Sequence, residues 1–105
     1  MPSLVLATAC ERAEAVVDEI GKALGEVTVE LLSASAKFRP FNSAHEGYAV
    51  LAEEVDELWD EVKKNPSKRS RARLRAEAIQ VAAMALRFII DVCDEVDVPL
   101  EDARR

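Results

Sequence analysis

Residues 53–61 read Glu-Glu-Val-Asp-Glu-Leu-Trp-Asp-Glu. On a helix turning about 100° per residue, Glu54, Glu57 and Glu61 fall within one narrow arc. That arc borders the apolar stripe of Leu51, Val55, Leu58 and Val62 instead of opposing it. Glu53, Asp56 and Asp60 lie further round, on the side expected to face water. The helix therefore carries two kinds of carboxylate, one set solvated and one at the margin of a core.

A second stretch, residues 74–92, is apolar nearly all the way round, with Val81, Ala82, Ala85, Leu86, Ile89 and Ile90 covering most of its circumference. A helix of this kind is normally covered on every side. Glu77 and Gln80 open it on one face, in line with Met84 and Phe88. An unpartnered buried carboxylate costs several kcal/mol or takes up a proton, and carboxylates gathered at one helix seam repel each other. A divalent cation removes both penalties, and oxygen-only ligands favour a hard ion, Mg²⁺ or Mn²⁺. The plainer alternative is a solvated acidic face with Glu77 as an end-of-helix charge. The pairing of Glu77 with Gln80 inside an apolar helix weighs against it.

The rest of the composition fits a helical chain. Gly and Pro number only 3 and 4 in 105 residues, and only 5% are aromatic. Such a mix, in one length of chain sufficient for one core, predicts a single all-α domain over residues 1–105. Helices are expected at about 3–24, 27–37, 43–64 and 70–95. Gly21 and Gly25 are read as the stop of the first, Pro40 as the break before the third, and Pro99 as lying beyond the fourth. Ser43 with Glu46 three residues on forms a capping box, so Glu46 has a structural reason to be there. A net charge of −6 argues against a nucleic-acid polymer as partner. Cys10 and Cys93 lack metal-ligand spacing and fit thiols in a reducing cytoplasm. The N-terminus does not read as a signal peptide, and no apolar run reaches membrane-spanning length. A soluble, cytoplasmic location is expected.

Two further clusters qualify as candidate substrate contacts. Residues 38–48 gather two of the three Phe, the sole His and the sole Tyr just before the acidic helix. Phe41, Asn42 and His45 are the groups a nucleobase pocket would use; alternatively, Phe38 and Phe41 plug the core. Seven of the 14 basic residues fall between Lys63 and Arg75. Most suit a solvated hairpin tip, whereas Arg73 and Arg75 stand close enough in sequence to Glu77 to meet a polyphosphate.

Glu-Glu-x-x-Glu on one helix, followed about twenty residues later by Glu-x-x-Asp on an apolar one, is the pattern of the MazG-like nucleoside triphosphate pyrophosphohydrolases. Residues 38–91 of this chain resemble that family. Glu53-Glu54-Val55-Asp56-Glu57 matches the first half in full. Glu77-Ala78-Ile79-Gln80 matches the second except that Gln80 stands where the family has Asp. Residues 41–48 also look like small members of the family. The resemblance implies an all-α, four-helix-bundle-like protomer assembled as a homodimer or homotetramer. It implies hydrolysis of a nucleoside triphosphate, a (d)NTP, to the monophosphate and pyrophosphate. Glu54, Glu57 and Glu77, with Gln80 in the fourth place, would hold Mg²⁺ or Mn²⁺, and Glu53 would assist or activate water. Gln80 offers one neutral oxygen where a carboxylate is expected. This favours as the competing reading a MazG-like module that binds a nucleotide or partner without turnover. Glu61 is a possible further oxygen donor. Asp91 lies too far along the helix to share an ion with Gln80, and is free to pair with an Arg or serve another site.

Overall fold

The computed structural model describes residues 2–94, with side chains from residue 8 onward. Among the described residues every regular element is helical. Helix α1 spans Pro2–Lys37, α2 Ala44–Val62 and α3 Arg71–Phe88, and α3 runs on into a π-helical turn at Ile89–Cys93. The all-α class read from the sequence is thus the observed one. None of the helices is long and apolar enough to cross a membrane.

The expected break between helices at 3–24 and 27–37 does not occur. One helix of 36 residues, about 54 Å long, runs through both glycines. A glycine stops a helix when it swings into the left-handed region. Gly21 and Gly25 do not, and no described residue has positive φ. Each glycine costs the helix about 1 kcal/mol relative to alanine. Beyond them Val27, Leu31 and Ala34 are anchored in the core, which offsets that cost. The described residues therefore contain three α-helices where four were expected.

The other boundaries follow local chemistry. Ser43 Oγ accepts from Glu46 N–H at 3.1 Å and caps α2. Ser70 Oγ accepts from Arg73 N–H at 3.3 Å and caps α3. Between them, Asn65 Oδ1 accepts from both the backbone N–H and the hydroxyl of Ser67, each at 3.0 Å, which sets the turn. Arg69 closes the end of α2, its guanidinium donating to the carbonyls of Val62 and Lys64 at 2.8 and 3.3 Å. Much of the basic cluster thus serves the hairpin tip. The stretch from residue 95, including the tail after Pro99, lies outside the described residues.

Helix α3 is the hub, packed against α2 on one side and the C-terminal half of α1 on the other. The core consists of Val27, Phe41, Ala83 and Met84, with Leu51, Ile79, Leu86 and Phe88 around it. Gly47 lets α2 approach closely: a Cβ there would stand 2.6 Å from Phe88 Cδ2 and 3.0 Å from Phe41 Cδ2. A large apolar surface is left uncovered. Residues 8–22 of α1 are all exposed. On α2, Tyr48, Val55, Trp59 and Val62 form an exposed stripe at helical spacing, Tyr48 at 69% and Trp59 at 57%. Val55 and Val62, expected in the core, belong to that stripe. Leu51 and Leu58 stay partly buried.

Candidate metal centre and adjoining cleft

Position 54 is followed three residues later by position 57, so Glu54 and Glu57 share a face of α2. Glu77 comes from the second turn of α3, where that helix crosses α2. The three residues bring one carboxylate oxygen each to within 4.8 Å of one another. Glu77 Oε2 is buried and makes no hydrogen bond. Burial, reinforced by the neighbouring Glu57 charge, pushes the Glu54 carboxyl up to about 7. The same two causes, in the same order, with Glu61 adding a further charge, raise Glu77 above the ordinary carboxylate range. An orphaned buried oxygen, and two carboxyls raised by burial and then by a neighbouring charge, are what an oxygen-ligated cation would relieve. The donor set therefore fits a hard divalent ion.

Glu61 faces the same seam but is engaged. Both its oxygens lie 2.9 Å from Lys64 Nζ, the partner it has in this structure. Gln80 is bonded through its amide nitrogen and not through the Oε1 that a cation would use. Its Nε2 donates to Glu30 Oε2 of α1 at 2.8 Å, tying α3 to α1 one turn above the acidic cluster. Glu30 could not have been anticipated, because it lies 50 residues away in a segment with no motif.

Beside the cluster opens a cleft of about 400 Å³. Glu53, Glu54, Glu46 and Gln80 line one part of it, and Phe38, Arg39, Phe41, Val50, Met84 and Arg87 the rest. Phe41 is buried beneath it, while Phe38 is 61% exposed. Phe41 belongs to the core and also lines the cleft. Asn42 and His45 are exposed and do not line this cleft, the Asn42 N–H being directed to Glu46 at 3.4 Å. Arg73 is exposed in the first turn of α3. Arg75 is paired with Glu26 of α1. Two residues correspond to about 200° of helix, so Arg75 and Glu77 point to different sides of α3. Arg75 thus points away from Glu77, whereas Arg73, four residues before Glu77, shares its face of α3 one turn earlier; neither lines the cleft.

Two arginines line the cleft: Arg39, paired with Glu46 at 3.4 Å, and the buried Arg87, only 5% exposed. It donates to the Arg39 carbonyl, lies 3.4 Å from Asp91 Oδ2, and stacks 4.2 Å above the Phe41 ring. Asp91 Oδ2 also accepts from Phe41 N–H at 3.1 Å, so this carboxylate pairs with an arginine and a loop amide. A lone Arg four residues before an Asp in an otherwise apolar run was the available signal for this pair.

Comparison with protein families, with curated proteins and with solved structures returns no match. The functional reading therefore rests on residues and geometry.

Proposed function

We propose that this protein is a metal-dependent nucleoside triphosphate pyrophosphohydrolase of the MazG-like type, converting a (d)NTP to its monophosphate and pyrophosphate. The observation that carries the reading is the meeting of Glu54, Glu57 and Glu77 from two helices, with Glu77 Oε2 buried and unpaired. These three carboxylates would hold Mg²⁺ or Mn²⁺. When bound, the ion neutralises phosphate charge and polarises the attacking water. Glu53, exposed and lining the cleft, would accept a proton from that water. The cleft takes the nucleoside, with Phe41 and Phe38 offering ring faces and Gln80 and Glu46 offering polar atoms.

Assembly as a homodimer or homotetramer belongs to the same proposal. It is supported by the uncovered Tyr48–Val55–Trp59–Val62 stripe and by Val16, Val17, Ile20 and Leu24 on α1, all exposed in the single chain. Contiguous apolar surface of this kind on helix faces is characteristic of subunit interfaces.

One observation favours a second reading, a module that binds nucleotide without hydrolysing it. Gln80 stands where an acid is expected, so this position offers the cation one neutral oxygen and no carboxylate. Incubating the purified protein with each nucleoside triphosphate and Mg²⁺ or Mn²⁺, and assaying pyrophosphate, separates the two. Release abolished by Glu57→Ala supports the hydrolase. Metal-dependent thermal stabilisation with nucleotide binding and no release supports the module. Neither signal would leave the acidic cluster without a cation and sink both.

A further inference from the structure

We propose that Arg87 and Asp91 are positioning residues that hold the 38–42 loop as the ring-binding wall of the cleft. The inference rests on the nucleotide reading above and adds to it what shapes the cleft and which part of the ligand meets that wall.

The loop between α1 and α2 has irregular backbone, and its polar groups need partners from elsewhere. Two are met from α3 and its π-helical turn, across 48 and 50 residues of sequence: the Arg39 carbonyl by Arg87 Nη2, and the Phe41 N–H by Asp91 Oδ2. Phe38 and Phe41 then lie on the Arg87 guanidinium, with ring centroids 5.9 and 4.2 Å from Cζ. Arg87 and Asp91 also face each other at 3.4 Å, with side chains 6% and 13% exposed. A buried ion pair is a poor device for stability alone, because apolar residues of similar size commonly do as well or better. Here both members spend hydrogen bonds on the loop backbone, which is where a packing residue would contribute nothing. The π-helical turn fits the same role: Asp94 N–H reaches back to the Ile89 carbonyl at 2.8 Å around the residue that makes the loop contact.

The wall so held is two phenyl rings and a guanidinium edge, beside Glu53, Glu54 and Gln80. Flat aromatic rings are the ligand class that stacks on such a surface. The nucleobase end of the substrate is thereby assigned to the Phe38–Arg87–Phe41 side, and its phosphates to the carboxylate side.

Arg87→Lys tests this without removing the buried charge, because an ammonium cannot bond Asp91 and the Arg39 carbonyl in the same fork. Asp91→Asn keeps an acceptor for the Phe41 N–H. Three readouts are taken on the full chain: amide exchange of residues 38–42, affinity for an α,β-methylene nucleoside triphosphate, and the Mg²⁺ midpoint of thermal stabilisation. Arg87→Lys is expected to speed loop exchange and weaken analogue affinity about tenfold while moving the Mg²⁺ midpoint less than about twofold, as fits losing one charge-assisted bond remote from the ion. Asp91→Asn is expected to retain most of the affinity. Unchanged loop exchange, unchanged analogue affinity, or an equal loss of Mg²⁺ affinity in Arg87→Lys would each overturn the proposal. Failure of the nucleotide reading shows instead in the wild type, as binding of Mg²⁺ without the analogue.

Discussion

Gln80 Nε2 lies 2.8 Å from Glu30 Oε2, so the residue standing where an acid is expected is bonded to an acid from a different helix. Changing Gln80 to Asp alone would remove the donor, shorten the side chain and face one carboxylate with another. Gln80→Asp is expected to destabilise the protein by about 1 kcal/mol, the scale of one part-exposed hydrogen bond to a charged group. The double variant Glu30→Gln/Gln80→Asp should recover that loss and bind Mg²⁺ more tightly than wild type. Melting curves with and without Mg²⁺ decide it, and a double variant no better than Gln80→Asp would show the two positions to be uncoupled.

The acidic cluster predicts an inverted pH dependence of stability. Glu54 titrates at about 7 in the folded chain, above its ordinary value of 4.5, and Glu77 is raised in the same direction. The folded state thus binds more protons than the unfolded state between these values, so stability declines as pH rises through that window. Below it both states are protonated at these groups and the penalty is absent. Without divalent ions, the melting temperature should fall from pH 5 to pH 8. Glu57→Gln, which removes the charge that repels both neighbours, should flatten the slope. A rising profile would contradict the shifts.

Glu54→Ala, Glu57→Ala and Glu77→Ala are each expected to abolish pyrophosphate release while leaving circular dichroism unchanged. In the metal-free state the melting temperature should hold or increase, since each substitution relieves repulsion among groups that lack cationic partners. Collapse of all three variants to unfolded chains would make the carboxylates structural and remove the basis for a cation site.

Gly47→Ala should destabilise the fold by about 1–3 kcal/mol, the usual cost of overfilling a packed site. The new methyl would stand 2.6 Å from Phe88 Cδ2, so a ring or a helix must shift. Because Phe41 Cδ2 is also within 3.0 Å, the shift should propagate to the cleft. Combining Gly47→Ala with Phe88→Leu is expected to restore part of the loss in chemical denaturation.

The two helices that build the site were legible because their ends carry side-chain signals that act locally. Ser43, Ser70 and the Asn65-Pro66 turn mark boundaries within one or two residues of those observed. Helical periodicity put Glu54 and Glu57 on one face, and the resemblance added Glu77, which the fold brings beside them. What escaped depends on contacts between distant segments. Gly21 and Gly25 look like stops until Val27 and Leu31 are seen anchored on α3. Arg75 is near Glu77 in sequence but turns to another face of α3, whereas Arg87, three turns on, arrives at the cleft. Glu30 becomes visible only when α1 is laid beside α3.

The bare N-terminal half of α1 has a consequence of its own. With that arm the protein's Cα radius of gyration is 18.6 Å, against about 13 Å for a compact domain of this length. An isolated helical arm of some fifteen residues is only marginally stable in water. In the assembled form proposed here, that arm would draw its order from neighbouring copies, so dilution alone would melt it. Abundance in the cell would then set how much of the protein is fully folded, with no effector required.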